Sequence, residues 1–107
     1  MENFYVACDL GVDHGRVTLG SLHKGKFSLC EIRRFRNEPI REKNSLQWNI
    51  PQLYQETIEG LRDIGAHEEP VDSISCNAWG SDYMLFEDDG TLITPTYHHS
   101  DPRAEAA

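Results

Sequence analysis

A chain of 107 residues is enough for one domain, or for part of a larger one, and 38% apolar with 26% charged residues suits one packed core rather than a disordered segment. A net charge of −8 argues against nucleic acid or any other polyanion as partner, and no stretch is long or apolar enough to cross a membrane. Glu2 stands where a secretory leader would be basic, and the scattered Cys8, Cys30 and Cys76 suit reduced, buried thiols, so a cytoplasmic protein is expected.

The apolar run Phe4 to Cys8 ends in Asp9, and a second run, Val17 to Leu22, leaves in the opposite direction. Two antiparallel strands are predicted here, with Gly11 and Gly15 letting the chain between them fold tightly. Such a turn presents successive backbone N–H groups at a sheet edge, which suits a phosphate. Asp9 beside it can hold Mg²⁺ through water. An ordinary hairpin gives the same local pattern.

His23 to Lys26 reads as a turn, and Phe27 to Phe35 as a third strand of an antiparallel meander. Asn37 to Asn49 is a polar excursion holding Pro39, with Trp48 near its end packing on the sheet. The basic residues Arg33, Arg34, Arg36, Arg41 and Lys43 read as a solvated strand end and loop. Ile50 to Ile64 carries a helical pattern, with Leu53, Thr57, Ile58, Leu61 and Ile64 on one face. Pro51 fits its first turn, and Gly65 a left-handed position just past its end. An acidic connector with Glu68 and Glu69 leads to a fourth strand, Val71 to Cys76, parallel to the first because a helical crossover precedes it.

Asn77 to Asp82 then forms a loop at that strand's carboxyl end, where open α/β sheets bind ligands. Tyr83 to Glu87 and Thr91 to Thr94 flank the turn signal Asp88-Asp89-Gly90. His98, His99 and Asp101 do not suggest a metal site, since adjacent histidines on an extended chain point apart. The predicted order is β-β-β-α-β plus a hairpin: an α/β chain with a partial ribonuclease-H-like, actin-like ATPase fold. It looks truncated, with a bare sheet edge expected to favour self-association.

Asp9-Leu10-Gly11, Gly15-Arg16-Val17, Trp48, Asp72-Ser73-Ile74, Trp79-Gly80-Ser81-Asp82 and Asp101-Pro102-Arg103, in that order, resemble the start of an FGGY-family carbohydrate kinase, within the actin and sugar-kinase superfamily. The rhamnulose-phosphorylating branch is the nearest match. The resemblance implies that residues 1–107 are the N-terminal portion of the first kinase domain, with the second domain absent. It implies transfer of a phosphoryl group from ATP, with Mg²⁺, to a ketose hydroxyl. Asp9, Gly11, Val12, Asp13, His14, Gly15 and Arg16 would then form the nucleotide site, with Asp9 facing the metal through water. Trp79, Gly80, Ser81, Asp82 and Arg103 would line the sugar site.

The chain departs from the family pattern at Asp13 and His14, where hydroxyl residues are usual, and at Asn77 and Ala78, where an acid and a threonine are. The family's general base and adenosine-binding segments match nothing in this chain, so the 107 residues alone are expected to be inactive. Arg16 is equally readable as a surface strand residue, Trp79 as core, and Asp101 with Arg103 as a local turn. A non-catalytic nucleotide- or sugar-binding remnant and an actin-like ATPase fragment are the other readings.

Overall fold

A computed structural model describes residues 2–67 and 70–104. Glu68 and Glu69 of the expected connector lie outside the described residues. The principal sheet has four strands: β1 (Asn3–Leu10), β2 (His14–His23), β3 (Lys26–Arg36) and, after the helix, β6 (Ser73–Ala78). Their order is β3-β2-β1-β6, with β1 antiparallel to β2 and parallel to β6. The crossover is α1 (Ile50–Gly65), which packs on β2 and β3.

Val6 and Cys8 of β1, Val17 of β2 and Ile64 of α1 form the core, with Leu19, Ile32 and Leu61 partly buried against it. The alternation of β1 sets this face: Phe4, Val6 and Cys8 are buried and share one side of the strand. Gly60 lies on the helix face against Val17, where an added Cβ would stand 2.6 Å from Val17 Cγ2. Helix and sheet approach closely because that Cβ is missing. Arg33 of β3 adds a bidentate pair to Glu56 at 3.1 and 3.3 Å. Arg34 and Arg36 also meet carboxylates, Glu31 and Glu38, so much of the basic cluster is neutralised locally.

The helix begins as predicted: Asn49 caps it by accepting the Gln52 N–H at 3.3 Å, and Pro51 sits in the first turn. It ends differently. Gly65 is the last helical residue, and Ala66 caps with ordinary right-handed angles, so no left-handed glycine is used. The parallel strand runs two residues later than expected. Asp72 explains the shift: its carboxylate accepts the Phe4 N–H at 2.8 Å while its own N–H donates to Phe4 carbonyl, anchoring the strand's start. Asn77 and Ala78 are therefore strand residues.

The polar excursion holds a hairpin that was not predicted, β4 (Ile40–Glu42) and β5 (Ser45–Trp48), turning through Lys43 at φ 54°. β5 also pairs with β9 (Thr96–Tyr97), making a second, three-stranded sheet. The Asp88-Asp89-Gly90 turn joins β7 (Leu85–Phe86) to β8 (Leu92–Ile93), with Gly90 at φ 90°. A single 3-10 turn spans Pro102–Ala104. Of the cysteines expected in the core, only Cys8 is buried; Cys30 and Cys76 are exposed, because β3 presents most of its length to solvent and β6 is the sheet's edge strand.

Candidate functional site

Between β1 and β2 only residues Gly11 to Asp13 leave the ladder; His14, Gly15 and Arg16 are already in β2. The loop is thus shorter than predicted, and Asp9 lies within the paired strand, opposite Arg16. Its carboxylate meets the Arg16 guanidinium at 3.1 Å, both groups about half exposed. The glycines serve close approach rather than unusual dihedrals, since neither has a positive φ. A Cβ on Gly11 would stand 2.7 Å from the His14 carbonyl oxygen, and one on Gly15 2.3 Å from Phe35 Cζ.

The loop is tied from behind. Gly11 N–H donates to the His14 carbonyl, and buried Asn37 donates its backbone N–H to Asp13 carbonyl and its side-chain amide to Gly11 carbonyl, each at 2.9 Å. Among the described residues, the Val12 and Asp13 N–H groups have no partner within the fold. Both residues are exposed, and the Gly11 and Asp13 carbonyls are engaged, so these two consecutive N–H groups are open to an acceptor from outside the fold.

The register places Asp9 beside Asn77 and Leu10 beside Ala78. The Gly11–Asp13 loop and the loop starting at Trp79 therefore leave the same sheet edge from neighbouring strands. In the second loop, Asp82 is the anchor. It accepts from Trp48 Nε1 at 2.8 Å and meets His99 Nδ1 at 2.8 Å. Trp48, 3% exposed, stacks on His98 (ring centroids 4.0 Å apart) and packs at a tilt against Trp79 (4.1 Å). The His98 and His99 rings lie 4.3 Å apart, so they converge on Trp48 rather than pointing apart as expected. Gly80 and Ser81 are exposed, and Ser81 holds a left-handed φ of 75°, a conformation a serine rarely adopts unless its surroundings impose it.

A cavity of about 380 Å³ opens beside this cluster, walled by Trp48, Trp79, Asp82 and Thr96 on one side and by Leu53 and Ile58 of the helix on the other. The buried Thr96 hydroxyl has no partner among the described residues. Arg103 is not brought to this cavity. Its guanidinium lies 3.7 Å over the Tyr97 ring, and it lines a separate concavity with Lys43 and Gln47. Asp101, 2% exposed, is a structural acceptor for the N–H groups of Leu46 (2.6 Å) and Arg103 (2.9 Å). No cluster of three or more His, Cys, Asp or Glu side chains converges on a metal position among the described residues.

Sequence reasoning missed Asn37, His98 and His99 as organisers of these loops. Trp48 was noticed for its size, which is the one local signal available.

Electrostatics follow the packing. Burial, with some help from His99, holds His98 below its ordinary 6.5. Burial works to raise Asp82, but hydrogen bonds from Trp48 and His99 outweigh it and hold the carboxyl below 3.8. Backbone donors from Leu46 and Arg103 keep Asp101 low as well. In the folded chain His98 resists protonation, so below 6.5 the unfolded chain binds more protons and stability falls with pH. Asp82 and Asp101 contribute above the ordinary carboxylate value, and that contribution is lost as pH falls through their lowered folded values. Thermal melts should accordingly show a first decline on acidification below 6.5 and a second in the carboxylate range. His98→Gln should remove the first decline and leave the second; an unchanged profile in that variant would exclude His98 as its source.

No family model matches the chain. Its backbone superposes on the gluconate kinase from Lactobacillus acidophilus with a TM-score of 0.80, over 99% of this chain and 21% of that one, at 15% identity. The xylulose kinase of the same organism gives 0.74, over 97% and 21%, at 14% identity. The fold is that of a segment of sugar kinases with the actin-like ATPase architecture.

By sequence the chain is similar to rhamnulokinases. The chain is 38% identical to the rhamnulokinase of Bacteroides thetaiotaomicron over 99% of its length, and 37% identical to that of Mannheimia succiniciproducens over 92%. It spans about a fifth of the length of these relatives: 22% and 21%.

Proposed function

We propose that this chain supplies the nucleotide-phosphate loop and part of the sugar-binding wall of an ATP-dependent, cytoplasmic sugar kinase that phosphorylates a ketose of the rhamnulose type. The observation that supports this reading is the pair of N–H groups at Val12 and Asp13, without partners among the described residues, on a loop that leaves the sheet from the strand next to the one leading to Trp79. Phosphoryl transfer depends on positioning and charge neutralisation more than on covalent chemistry, so a backbone cradle and a metal suffice on the nucleotide side. A sugar needs a flat apolar wall with a few polar groups; Trp79 supplies the wall and Gly80, Ser81 and Asp82 the polar edge.

Mg²⁺ in such a site is held by one or two carboxylates and the nucleotide's own phosphates, with water completing the shell. Asp9, about half exposed at the strand end and paired with Arg16 at 3.1 Å, would be the carboxylate that holds the ion. The bound ion would neutralise phosphate charge. Within this reading, residues 1–107 are the N-terminal portion of the first kinase domain, and the general base and adenosine contacts come from other segments of such a kinase. The unpaired edge of β6 and the exposed Leu85 and Phe86 would favour self-association of the chain by itself.

The test is amide-resolved NMR with Mg·ATP and rhamnulose added in turn. Mg·ATP should shift Val12 and Asp13, and the sugar should shift Gly80 and the Trp79 indole. Saturating additions that leave these signals in place would refute the assignment. Asp13 places a carboxylate on the phosphate loop, where an ionised group at about 4 Å costs on the order of 1 kcal/mol in water. Asp13→Ser should tighten Mg·ATP binding by about fivefold. Titration calorimetry showing equal or weaker binding would dismiss the repulsion.

A further inference from the structure

Cys8 and Cys76 are in-register partners across the parallel ladder of β1 and β6. Paired residues of neighbouring strands project to the same face, and the strands lie about 4.8 Å apart, inside the Cα separation a disulfide accepts. Their exposure differs sharply. Cys76 is exposed on the wall of the cavity beside Trp79, while Cys8 is 1% exposed in the core behind it. Cys30, on β3, is paired with Leu19 and has no cysteine across its ladder.

We propose that Cys8 and Cys76 are a peroxide-sensitive modification site that closes into a reversible cross-strand disulfide. The accessible Cys76 thiol gives up its proton to solvent and its sulfur attacks a peroxide oxygen as the thiolate; the O–O bond breaks, the departing hydroxide takes a proton back from solvent to leave as water, and Cys76 becomes a sulfenic acid. The Cys8 sulfur then attacks the Cys76 sulfur. The S–O bond breaks, an S–S bond forms, and the oxygen departs as a second water carrying the Cys8 proton. Two thiols are oxidised and one peroxide is reduced. The division of labour follows from access and register: Cys76 is exposed, whereas burial, reinforced by Cys76, pushes the buried Cys8 thiol up to about 11, so Cys8 is not the initial nucleophile and enters only as the neighbour across the ladder. The bridge would join the strands one residue before Asp9 and Asn77, at the root of both loops. The proposal does not depend on the kinase reading.

The experiment is hydrogen peroxide treatment of the native chain, blocking of free thiols, tryptic digestion and mass spectrometry. Expected is a linked peptide pair carrying Cys8 and Cys76, lighter by two hydrogens and restored by dithiothreitol. Cys30→Ser should keep the product. Cys76→Ser, at an exposed position, should lose it, and Cys8→Ser should leave Cys76 to over-oxidise to the sulfinic acid. Over-oxidation of Cys76 in the native chain with Cys8 still a free thiol would overturn the proposal. So would linkage of Cys76 to Cys30 or to a second chain.

Discussion

Trp48→Ala is expected to cost about 3–5 kcal/mol, the range for emptying a buried tryptophan site. A domain of this size holds about 5–15 kcal/mol in all, so the variant should sit near the edge of folding. The loss is large because one ring joins its own strand to two separate segments: it packs on Trp79 and donates its Nε1–H to Asp82 in one loop, and it stacks on His98 in another. Without it the Asp82 carboxylate loses the first of its side-chain donors and is left to His99 and Trp79, and the aromatic wall beside Gly80 loses its backing. Trp48→Phe separates the two contributions. It keeps most of the stacking, removes the donor and should cost about 1–2 kcal/mol less than the alanine change. Urea denaturation checks both, with near-ultraviolet circular dichroism following the Trp48–Trp79 contact. An alanine variant as stable as the parent would show that this cluster is not a structural centre.

Gly60→Ala should destabilise, against the usual rule for helices. In a solvated helix that change gains about 1 kcal/mol from lower backbone entropy in the unfolded chain. Here the new methyl would meet Val17 Cγ2 at 2.6 Å and Val17 Cβ at 2.8 Å, and Val17 is fully buried. A Cβ cannot swing away like the end of a long side chain, so the helix must lift off the sheet. Overpacking of this kind costs about 1–3 kcal/mol, which exceeds the propensity gain over most of that range. Val17→Ala alone opens a cavity and also destabilises. Combined with Gly60→Ala it should recover part of both losses, giving a favourable coupling of about 1 kcal/mol in a double-mutant cycle. Thermal denaturation reads all four states. A Gly60→Ala chain that melts above the parent would mean that the contact with Val17 relaxes freely.

The helix, the antiparallel opening strands, the parallel return and the Asp88-Asp89-Gly90 turn were legible because each is written in neighbouring residues. Leu53, Leu61 and Ile64 mark one helical face, and Gly90 takes the positive φ that its turn requires. The β4–β5 hairpin was not legible because Lys43 adopts a left-handed angle with no glycine to announce it. The alternation of Ser45, Leu46, Gln47 and Trp48 is too short to stand against the polar residues around it. The two loops leave one sheet edge because a parallel strand after a crossover helix brings them together. Their internal order was hidden. Asp101 caps Leu46 from 55 residues away and Asp82 holds Trp48 from 34 away, so no local pattern carries either contact. Gly11 lets the turn fold tightly, as its type announced, by admitting the His14 carbonyl, whereas Gly15 lies in β2 and makes room for the Phe35 ring instead.

Asn37 shows why such a loop resists transplantation. The curvature between Gly11 and Asp13 is written partly in a residue just past the end of a different strand, which clasps both carbonyls from underneath. A graft carrying only the glycine-bounded segment into a foreign hairpin would bring the letters without the grammar, and its amides would be free to turn back into ordinary pairing. The smallest portable unit is the three-stranded meander with Asn37 attached.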